Sequence, residues 1–212
     1  MSLTYAPQIF EVPNEVAARN IILTPGFGHD TDHRWTTETP YFGAILAGEL
    51  QPTEQSVVVD FGCGIGRLAK ELIARTGCHV IGVDISYSMR ILGMQYVESP
   101  HFTTVSPTAF SAMVDAGLRC DAVFSVWVLQ HCLRPTEEID LLHRCLKPDG
   151  KACVVNNLTR AIPTHESGWV NDGVDVLKLL TERFSVQTLA KLDPAILKQE
   201  AVDDSFLAIL QK

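Results

Sequence analysis

One acidic residue and three glycines at alternating positions point most directly to ligand binding in this sequence. Asp60 follows three consecutive valines, and Gly62, Gly64 and Gly66 come after it at every second position. Glycine has no Cβ, so such a turn can adopt positive φ angles and let a ligand lie against bare backbone. Cys63 lies inside the turn, where we expect it to pack as a small side chain. We expect the Asp60 carboxylate to face a cationic group such as an ammonium, because it would repel a pyrophosphate.

A second acidic residue follows at the place where nucleotide-binding sheets carry a ribose ligand. Asp84 lies 18 positions after Gly66, at the end of the apolar run 79–83. In doubly wound folds, an acid at the tip of the second strand hydrogen-bonds the ribose diol. The dinucleotide-binding pattern would place its third glycine one residue later than Gly66. The two acids and the glycine turn therefore indicate S-adenosylmethionine rather than a nicotinamide dinucleotide.

Residues 60–66 (DFGCGIG), followed by residues 82–86 (GVDIS), resemble the class I S-adenosylmethionine-dependent methyltransferases. Two further segments support the resemblance. Residues 120–131 resemble the fourth strand of that family and the loop after it, and residues 141–150 resemble the helix and turn before its fifth strand. The similarity extends over about residues 40–160. It implies an enzyme that uses S-adenosyl-L-methionine as its cofactor.

The resemblance also implies which residues contact the adenine. Ile85 could lie on one face of the ring with Met89 behind it, although plain core packing explains Met89 equally well. Many relatives carry an acid just past the third strand that accepts a hydrogen bond from the adenine amino group, whereas this chain has no acid there until Asp115. We therefore expect a hydroxyl of Ser106 or Thr108, or a backbone group, to take that place.

Four residues are candidates for the reacting and methionyl ends of the cofactor. Ser125 and Val126 end the predicted fourth strand, where the resemblance places the transferred methyl group. His131 follows closely and is our candidate general base, because a histidine pKa lies near neutrality. A hydrogen-bonded structural histidine is the alternative. Arg34 could pair with the methionyl carboxylate through two parallel hydrogen bonds.

We expect no metal site and no disulfide. His29, Asp30, Asp32 and His33 have the side chains of metal ligands, but they occupy a glycine-rich stretch without the regular spacing of a helical or hairpin site. A solvated loop is therefore the expectation. None of the six cysteines belongs to a pair separated by two residues. Reduced cysteines packed in the core are typical of a cytoplasmic protein.

Composition and charge restrict the class of partner. The 212 residues carry a formal net charge of −8, with 46% hydrophobic and 20% charged residues. An acidic protein matches a nucleic-acid backbone or an anionic membrane poorly, so we expect neither as a partner. We find no apolar run long enough to cross a bilayer, and no basic segment followed by an apolar one at the start. We expect a cytoplasmic monomer or homodimer, and the sequence does not distinguish the two.

Strand and helix patterns alternate along the chain from about residue 37. Helices are predicted at 37–50, 67–76, 87–97, 108–117, 135–146 and 172–184, and strands at 56–60, 79–84, 101–105, 120–126, 151–156, 185–192 and 206–210. This alternation predicts an α/β fold with a doubly wound, mostly parallel sheet and helices on both faces. The resemblance implies seven strands with an antiparallel last strand. We expect a single domain at 1–212, in which irregular residues 1–36 form an N-terminal lid or extension and residues 157–172 a possible lid loop.

The predicted function is transfer of a methyl group from S-adenosylmethionine to a small-molecule acceptor. Trp127, Trp169 and Phe42 could line an apolar acceptor pocket. The family motif for methylating amino groups of nucleic-acid bases is absent after the predicted fourth strand, where the chain has Ser-Val-Trp-Val. Two alternatives remain: a module that binds S-adenosylmethionine or S-adenosylhomocysteine without turnover, and a nucleotide-dependent enzyme on the same fold, such as an oxidoreductase.

Overall fold

Helices and strands alternate along most of the chain in the computed structural model, which describes residues 4–25 and 29–212. The helices are α1 (Glu15–Ile22), α2 (Thr31–Leu50), α3 (Arg67–Thr76), α4 (Tyr87–Val97), α5 (Pro107–Asp115), α6 (Pro135–Cys145), α7 (Val176–Arg183) and α8 (Gln199–Asp203). The strands are β1 (Val57–Phe61), β2 (His79–Val83), β3 (Phe102–Val105), β4 (Cys120–Val126), β5 (Leu146–Asn157), β6 (Ile162–Thr164), β7 (Gly168–Val170), β8 (Ser185–Ala190) and β9 (Ser205–Gln211). Short 3-10 turns lie at Pro7–Phe10 and Leu129–His131.

Seven strands form one sheet in the order β3-β2-β1-β4-β5-β9-β8. The strands β1 to β5 run parallel to one another, and β9 lies antiparallel between β5 and β8. The strand order reverses beside β1, which has β2 on one side and β4 on the other. Ligands of open α/β sheets bind outside the carboxyl ends of the strands at such a point. The predicted fold class is confirmed.

The valines of β1 explain why this strand lies at the centre of the sheet. Val58 and Val59 are fully buried and point to opposite faces, since side chains alternate along a strand. Val58 packs in the apolar cluster that contains Leu72 of α3, and Val59 packs in the other main cluster with Phe110 of α5. Because both faces are covered, β1 holds the glycine turn that follows it in a fixed position.

The N-terminal segment is more regular than the sequence predicted. α1 begins after Asn14, whose side chain caps its first turn. α2 begins at Thr31 rather than near residue 37, because the carboxylate of Asp30 accepts a hydrogen bond from the amide of His33 at 2.7 Å. Such a cap satisfies one of the amides that a helix start leaves without a partner.

The residues considered as metal ligands belong to the start of this helix. Asp30 is the cap, and the rings of His29 and His33 stack with their centroids 4.2 Å apart. Asp32 lies in the first turn, where its negative charge favours the helix N-terminus. Among the described residues, no three His, Cys, Asp or Glu side chains form a group that could hold a metal ion.

The two predicted lid segments contact each other. The segment after β5 forms the hairpin β6–β7 where the sequence predicted irregular structure. Tyr5 of the N-terminal segment makes a β-bridge with Thr164 of this hairpin. Residues 1–3 and 26–28 of the predicted N-terminal lid lie outside the described residues.

Charge interrupts the longest helix of the described residues. α2 has 20 residues and carries Asp32, Arg34, Glu38 and Glu49. Across the described parts of the chain, no helix combines the length and the apolar character needed to cross a membrane.

Candidate active site

A cavity of about 600 Å³ opens at the carboxyl ends of β1, β2 and β4. Its volume lies within the roughly 300–1,000 Å³ of small-molecule sites. Its walls come from the glycine turn, the start of α4, the turn after β4, and the N-terminal segment with α2. Eight of the residues predicted for the site line it: Arg34, Gly62, Gly64, Asp84, Ile85, Met89, Val126 and His131.

The glycine turn takes its shape from backbone conformations that favour glycine, and two of its glycines line the cavity. Gly62 and Gly64 have φ angles of +79° and +53°, in the left-handed region that other residues rarely adopt. A Cβ on Gly62 would collide with Val128, and one on Gly64 would lie 2.6 Å from Cδ1 of Ile22. Val128 and Ile22 both line the cavity. The glycines therefore let two walls of the cavity approach the turn closely.

Asp84 is held in place by the turn that it faces. Its Oδ2 accepts a hydrogen bond from the amide of Gly64 at 2.8 Å, and its Oδ1 accepts one from the amide of Ser86 at 2.9 Å. Burial raises the pKa of the Asp84 carboxyl, and the two amide hydrogen bonds oppose this shift. Each carboxylate oxygen has a further lone pair. These oxygens can therefore accept hydrogen bonds from a diol in the cavity.

Asp60 is oriented differently from our expectation and is not part of the cavity wall. It shares a face of β1 with Val58, on the side of the sheet that α3 covers. Burial raises the pKa of Asp60 well above its ordinary value, and the negative charge of Asp84 adds to this shift. The charge of Arg67 and the Ala69 amide act in the opposite direction. Asp60 thus lies between the sheet and the start of α3.

Two arginines lie at one end of the cavity, and the sequence indicated only the first of them. Arg34 donates through Nε to Glu38 at 2.6 Å and through Nη1 to the carbonyl of Thr24 at 2.9 Å. Arg67 lines the same cavity and donates to Oγ1 of Thr39 at 3.0 Å. Burial lowers the pKa of Arg67 to about 10, and the negative charge of Glu38 opposes this shift. Both guanidinium groups are charged at neutral pH, so this end suits a carboxylate.

The hydrogen bonds of His131 define which of its ring nitrogens carries the proton. Nδ1 lies 2.6 Å from the carbonyl oxygen of Ala161. A carbonyl oxygen can only accept, so Nδ1 is protonated and Nε2 carries the lone pair of the neutral ring. This lone pair accepts a hydrogen bond from Nε2 of Gln130 at 3.3 Å, because an amide nitrogen can only donate. Burial lowers the pKa of His131; the bond to Ala161 opposes this shift, and the positive charge of Arg160 adds to it. The imidazole is therefore neutral near pH 7 and can accept a proton.

Aromatic side chains from remote segments surround His131. Its ring centroid lies 5.9 Å from that of Phe10 and 5.0 Å from that of Trp169. Of the three aromatic residues expected in an acceptor pocket, Trp127 lines the cavity, Trp169 packs on His131, and Phe42 is buried in the core. The cavity wall thus combines a neutral imidazole in aromatic surroundings with the two arginines.

Residues 59–154 match the family model described as a methyltransferase domain. The matched region contains the glycine turn, Asp84 and the turn with His131, and the sheet order is that expected from the resemblance. Residues 59–154 thus carry a methyltransferase domain, as the resemblance to the class I S-adenosylmethionine-dependent methyltransferases implied. The predicted family and cofactor are confirmed.

Similar proteins of this methyltransferase family carry different acceptors in their names. The chain is 31% identical to the mitochondrial ubiquinone biosynthesis O-methyltransferase of Arabidopsis thaliana, over 55% of this chain and 37% of that protein. It is 27% identical to the tRNA U34 carboxymethyltransferase of Hahella chejuensis, over 59% of this chain and 39% of that protein. The chain therefore spans less than half the length of these two relatives. The similarity leaves the acceptor open.

A solved methyltransferase has the same fold at low sequence identity. The TehB-like S-adenosylmethionine-dependent methyltransferase from Corynebacterium glutamicum superposes with a TM-score of 0.57 and 20% identity. The superposition covers 80% of this chain and 86% of that one. At this identity the similarity concerns the fold alone.

The groups that line the methyltransferase cavity fit S-adenosylmethionine. Asp84 offers oxygen acceptors to a ribose diol, and Arg34 and Arg67 offer positive charge to a methionyl carboxylate. Ile85 adds apolar surface of the kind that an adenine ring packs against. Nε1 of Trp127, a residue of the cavity wall, is buried and has no hydrogen-bond partner among the described residues. A bound ligand can supply that partner.

The amides of the glycine turn are a poor match for a dinucleotide. The amides of Gly62 and Cys63 donate to the carbonyl of Val83 at 2.7 and 3.1 Å. The amide of Gly64 donates to Asp84. These three amides are therefore already paired, whereas a dinucleotide fold holds its pyrophosphate with free amides.

Three further residues expected at the cofactor lie behind the cavity wall. Cys63 points its Sγ toward the carbonyl of Gly64 at 3.4 Å, and burial raises its pKa well above the ordinary value. Gly66 ends the turn as the residue before α3, with a φ angle of +76°. Ser125 is fully buried within β4. Each of them supports the turn or the strand behind the cavity.

The hydroxyl expected to contact the adenine is not provided at the start of α5. Ser106 caps this helix by accepting a hydrogen bond from the amide of Ala109 at 3.1 Å. Thr108 is exposed on the helix surface and lies outside the cavity wall. Pro107 lines the cavity between them. A backbone group therefore remains as the candidate that accepts a hydrogen bond from the adenine amino group.

Several residues of the cavity wall were missed by sequence reasoning. Arg67 directly follows the glycine turn, and this position at a helix start facing a ligand was a usable signal. Tyr5, Gln130 and Glu138 also line the cavity. Tyr5 comes from a segment distant in sequence, and no local pattern marks Gln130 or Glu138 as residues of the site.

Proposed function

We propose that this protein transfers a methyl group from S-adenosylmethionine to a hydroxyl oxygen of a small-molecule acceptor, with His131 as the general base. The observation that carries the proposal is the hydrogen bond between Nδ1 of His131 and the carbonyl of Ala161. This bond leaves Nε2 as the proton acceptor in a cavity that also contains the glycine turn and Asp84.

The residues of this chain position the reactants and hold the proton. When bound, S-adenosylmethionine supplies an electrophilic methyl group on a positively charged sulfur and leaves as a neutral thioether. Nε2 of His131 takes the proton of the acceptor hydroxyl as the oxygen–carbon bond forms. The lowered pKa keeps the imidazole neutral and ready for this proton. Tyr5 and Phe10 cover the cavity from the N-terminal segment, which reduces the access of water.

Charge supports a small acceptor over a nucleic acid. Glu138 lines the cavity on the acceptor side, and Arg134 beside it pairs with Glu137 at 3.2 Å. The formal net charge of the chain is −8. A net negative charge repels a phosphate backbone. The cytoplasmic location and the monomeric or homodimeric state stay predictions from the sequence.

Binding and turnover tests separate this proposal from its alternatives. Calorimetry with S-adenosylmethionine and S-adenosylhomocysteine is expected to give binding that the D84N variant weakens. Mass spectrometry then detects methylated products from a panel of phenols, alcohols, amines, thiols and unmodified tRNA. Products from hydroxyl compounds support the proposal. Products from tRNA alone would refute the small acceptor, and tight binding without any product would indicate a binding module.

The His131→Ala variant tests the general base directly. We expect kcat to fall about 10²–10⁴-fold while the affinity for S-adenosylmethionine stays the same, because a positioned base contributes about that factor. The matched control is His79→Ala, which removes an exposed histidine that stacks on His101 and lies outside the cavity wall. An H131A variant with the turnover of the control would refute the role of His131.

A further inference from the structure

An ion pair between a buried arginine and a partly exposed aspartate lies directly behind the turn that carries His131. The side chain of Arg160 is 1% exposed, and its Nε and Nη2 donate to the two carboxylate oxygens of Asp172, both at 3.1 Å. Its Nη1 donates to the carbonyl of Leu129 at 2.9 Å. Leu129 begins the 3-10 turn that ends at His131. One guanidinium group thus joins the segment after β7 to the turn after β4.

The residue after Arg160 makes two further hydrogen bonds to the same turn. The amide of Ala161 donates to the carbonyl of Gln130 at 2.9 Å, and its carbonyl accepts from Nδ1 of His131 at 2.6 Å. Residues 160–161 therefore hold three consecutive residues of the turn, one bond to each. The position of Arg160 decides where the Ala161 carbonyl lies, and that carbonyl decides which nitrogen of the imidazole is protonated.

We propose that Arg160 and Asp172 are positioning residues for His131: the forked ion pair fixes the Ala161 carbonyl, and this carbonyl orients the imidazole with Nε2 unprotonated. The role in catalysis rests on the proposed function. The pair contributes little to stability alone, because the desolvation of the buried Arg160 guanidinium offsets much of its attraction to the partly exposed Asp172 carboxylate. An apolar side chain of similar volume would fill the same space, but it would not hold the carbonyl of Leu129.

The charge of Arg160 also acts on the base. Burial raises the pKa of Asp172, but the hydrogen bonds from Arg160 and from the amide of Val174 outweigh it, so Asp172 is ionised at neutral pH. Among the charged groups of the described residues, the one that acts on the pKa of His131 is Arg160, which lowers it.

The other titratable groups at this end of the cavity come from two segments. Tyr5 belongs to the N-terminal segment, and Cys132 and Glu138 belong to the turn and to α6. Burial raises the pKa of all three, and that of Cys132 reaches about 12. Tyr5 and Cys132 are therefore uncharged over the range in which His131 titrates. Loss of the Arg160 charge should consequently raise the pKa of His131.

The test compares Arg160→Met, Arg160→Lys and Asp172→Asn with Asp140→Asn. The control breaks the ion pair of Asp140 with Arg183, 2.8 Å long and on the surface. Nitrogen-15 NMR of labelled histidine reports the tautomer and the pKa of His131 without any turnover. The dependence of kcat on pH reports the base during catalysis, and calorimetry reports the affinity for S-adenosylmethionine.

We expect distinct signatures for each variant. In Arg160→Met, the pKa of His131 rises, the acid limb of the kcat profile moves to higher pH, and kcat falls by up to about 100-fold through misplacement of the base. Arg160→Lys keeps the charge but not the fork, so the pKa stays near that of the native protein while the share of the Nδ1–H tautomer falls. Asp172→Asn also lowers the share of the Nδ1–H tautomer. The control, Asp140→Asn, changes neither the tautomer nor the pKa of His131 nor kcat.

Two outcomes separate the positioning role from the proposed function. The positioning role would be overturned if the tautomer and the pKa of His131 are unchanged in both Arg160→Lys and Asp172→Asn. In that case kcat would fall only in proportion to the fraction of protein that is folded. Altered NMR signals combined with an H131A variant that keeps its turnover would support the positioning of the imidazole and refute its use as a base. If Arg160→Met does not fold, the other two variants decide the question.

Discussion

Replacement of Gly62 by alanine should affect both the fold and the cofactor site, for two reasons that can be separated. The φ angle of +79° at Gly62 lies in the region that strains any residue with a Cβ. The added Cβ would also collide with the methyl groups of Val128, which line the cavity from the other side. A second substitution, Val128→Ala, removes the collision but leaves the backbone strain.

The expected sizes follow from these contacts. Left-handed backbone costs a non-glycine residue about 1–2 kcal/mol. Overpacking against a neighbour costs about 1–3 kcal/mol. The G62A variant should therefore lose about 2–5 kcal/mol of the free energy of unfolding. V128A, which removes two methyl groups from a half-buried side chain, should lose about 1–2 kcal/mol. In the double variant the collision is absent. Its loss of free energy of unfolding should therefore be smaller, by about 1–3 kcal/mol, than the sum of the losses in the two single variants.

Urea denaturation of the four proteins of this cycle measures the free energies, and calorimetry measures the affinity for S-adenosylmethionine. Gly173→Ala is the matched control, because Gly173 has a φ angle of +77° and a Cβ there would meet nothing within 4 Å. This control should lose only the backbone cost of about 1–2 kcal/mol. Free-energy losses that simply add in the G62A/V128A cycle would refute the collision.

Two further substitutions test the cofactor end and the N-terminal segment. Arg34→Ala should lower the affinity for S-adenosylmethionine at least about 10-fold, but it should leave the affinity for 5′-methylthioadenosine, which lacks the carboxylate, unchanged. Calorimetric affinities that fall equally for both ligands would contradict the pairing of Arg34 with the methionyl carboxylate. Glu11 accepts hydrogen bonds from the amides of Tyr87 and Ser88 at the start of α4, and although burial raises its pKa, these bonds outweigh it and lower the pKa from 4.5 to about 2. The stabilisation by Glu11 is therefore complete above pH 4.5 and is lost as the pH falls toward 2. Glu11→Gln should cost about 0.5–2 kcal/mol in urea denaturation at neutral pH, and a deficit that stays constant down to about pH 2 would exclude this explanation.

Local patterns were sufficient for the centre of the fold. The valines of β1 and the glycines after them specify strand and turn within ten residues, and Asp84 ends the next strand where it was expected. The orientation of Asp60 was not predicted correctly. Alternation along β1 places it on the same face as Val58, but the sequence does not say which face α3 will cover. That choice depends on the path of the chain after the turn.

Helix starts in the N-terminal segment were missed although their caps are visible in the sequence. Asn14 and Asp30 are both typical N-cap residues. The residues after Asp30 lack a clear apolar periodicity, and Pro40 interrupts the pattern inside α2. The hairpin β6–β7 has only three residues in each strand and bridges to Tyr5, so its partner lies more than 150 positions away.

The acceptor end is assembled from such distant contacts, and this explains why the sequence predicted the cofactor better than the acceptor. His131 was identified by its side chain, but its protonation depends on the main-chain carbonyl of Ala161, which any residue could supply. Arg160 and Asp172 lie 12 positions apart and meet only because the hairpin between them folds back. A substitution at position 161 would therefore leave the key hydrogen bond intact. Substitutions at the ion pair therefore test whether His131 needs the contacts made by Arg160 and Asp172 in order to act as a base.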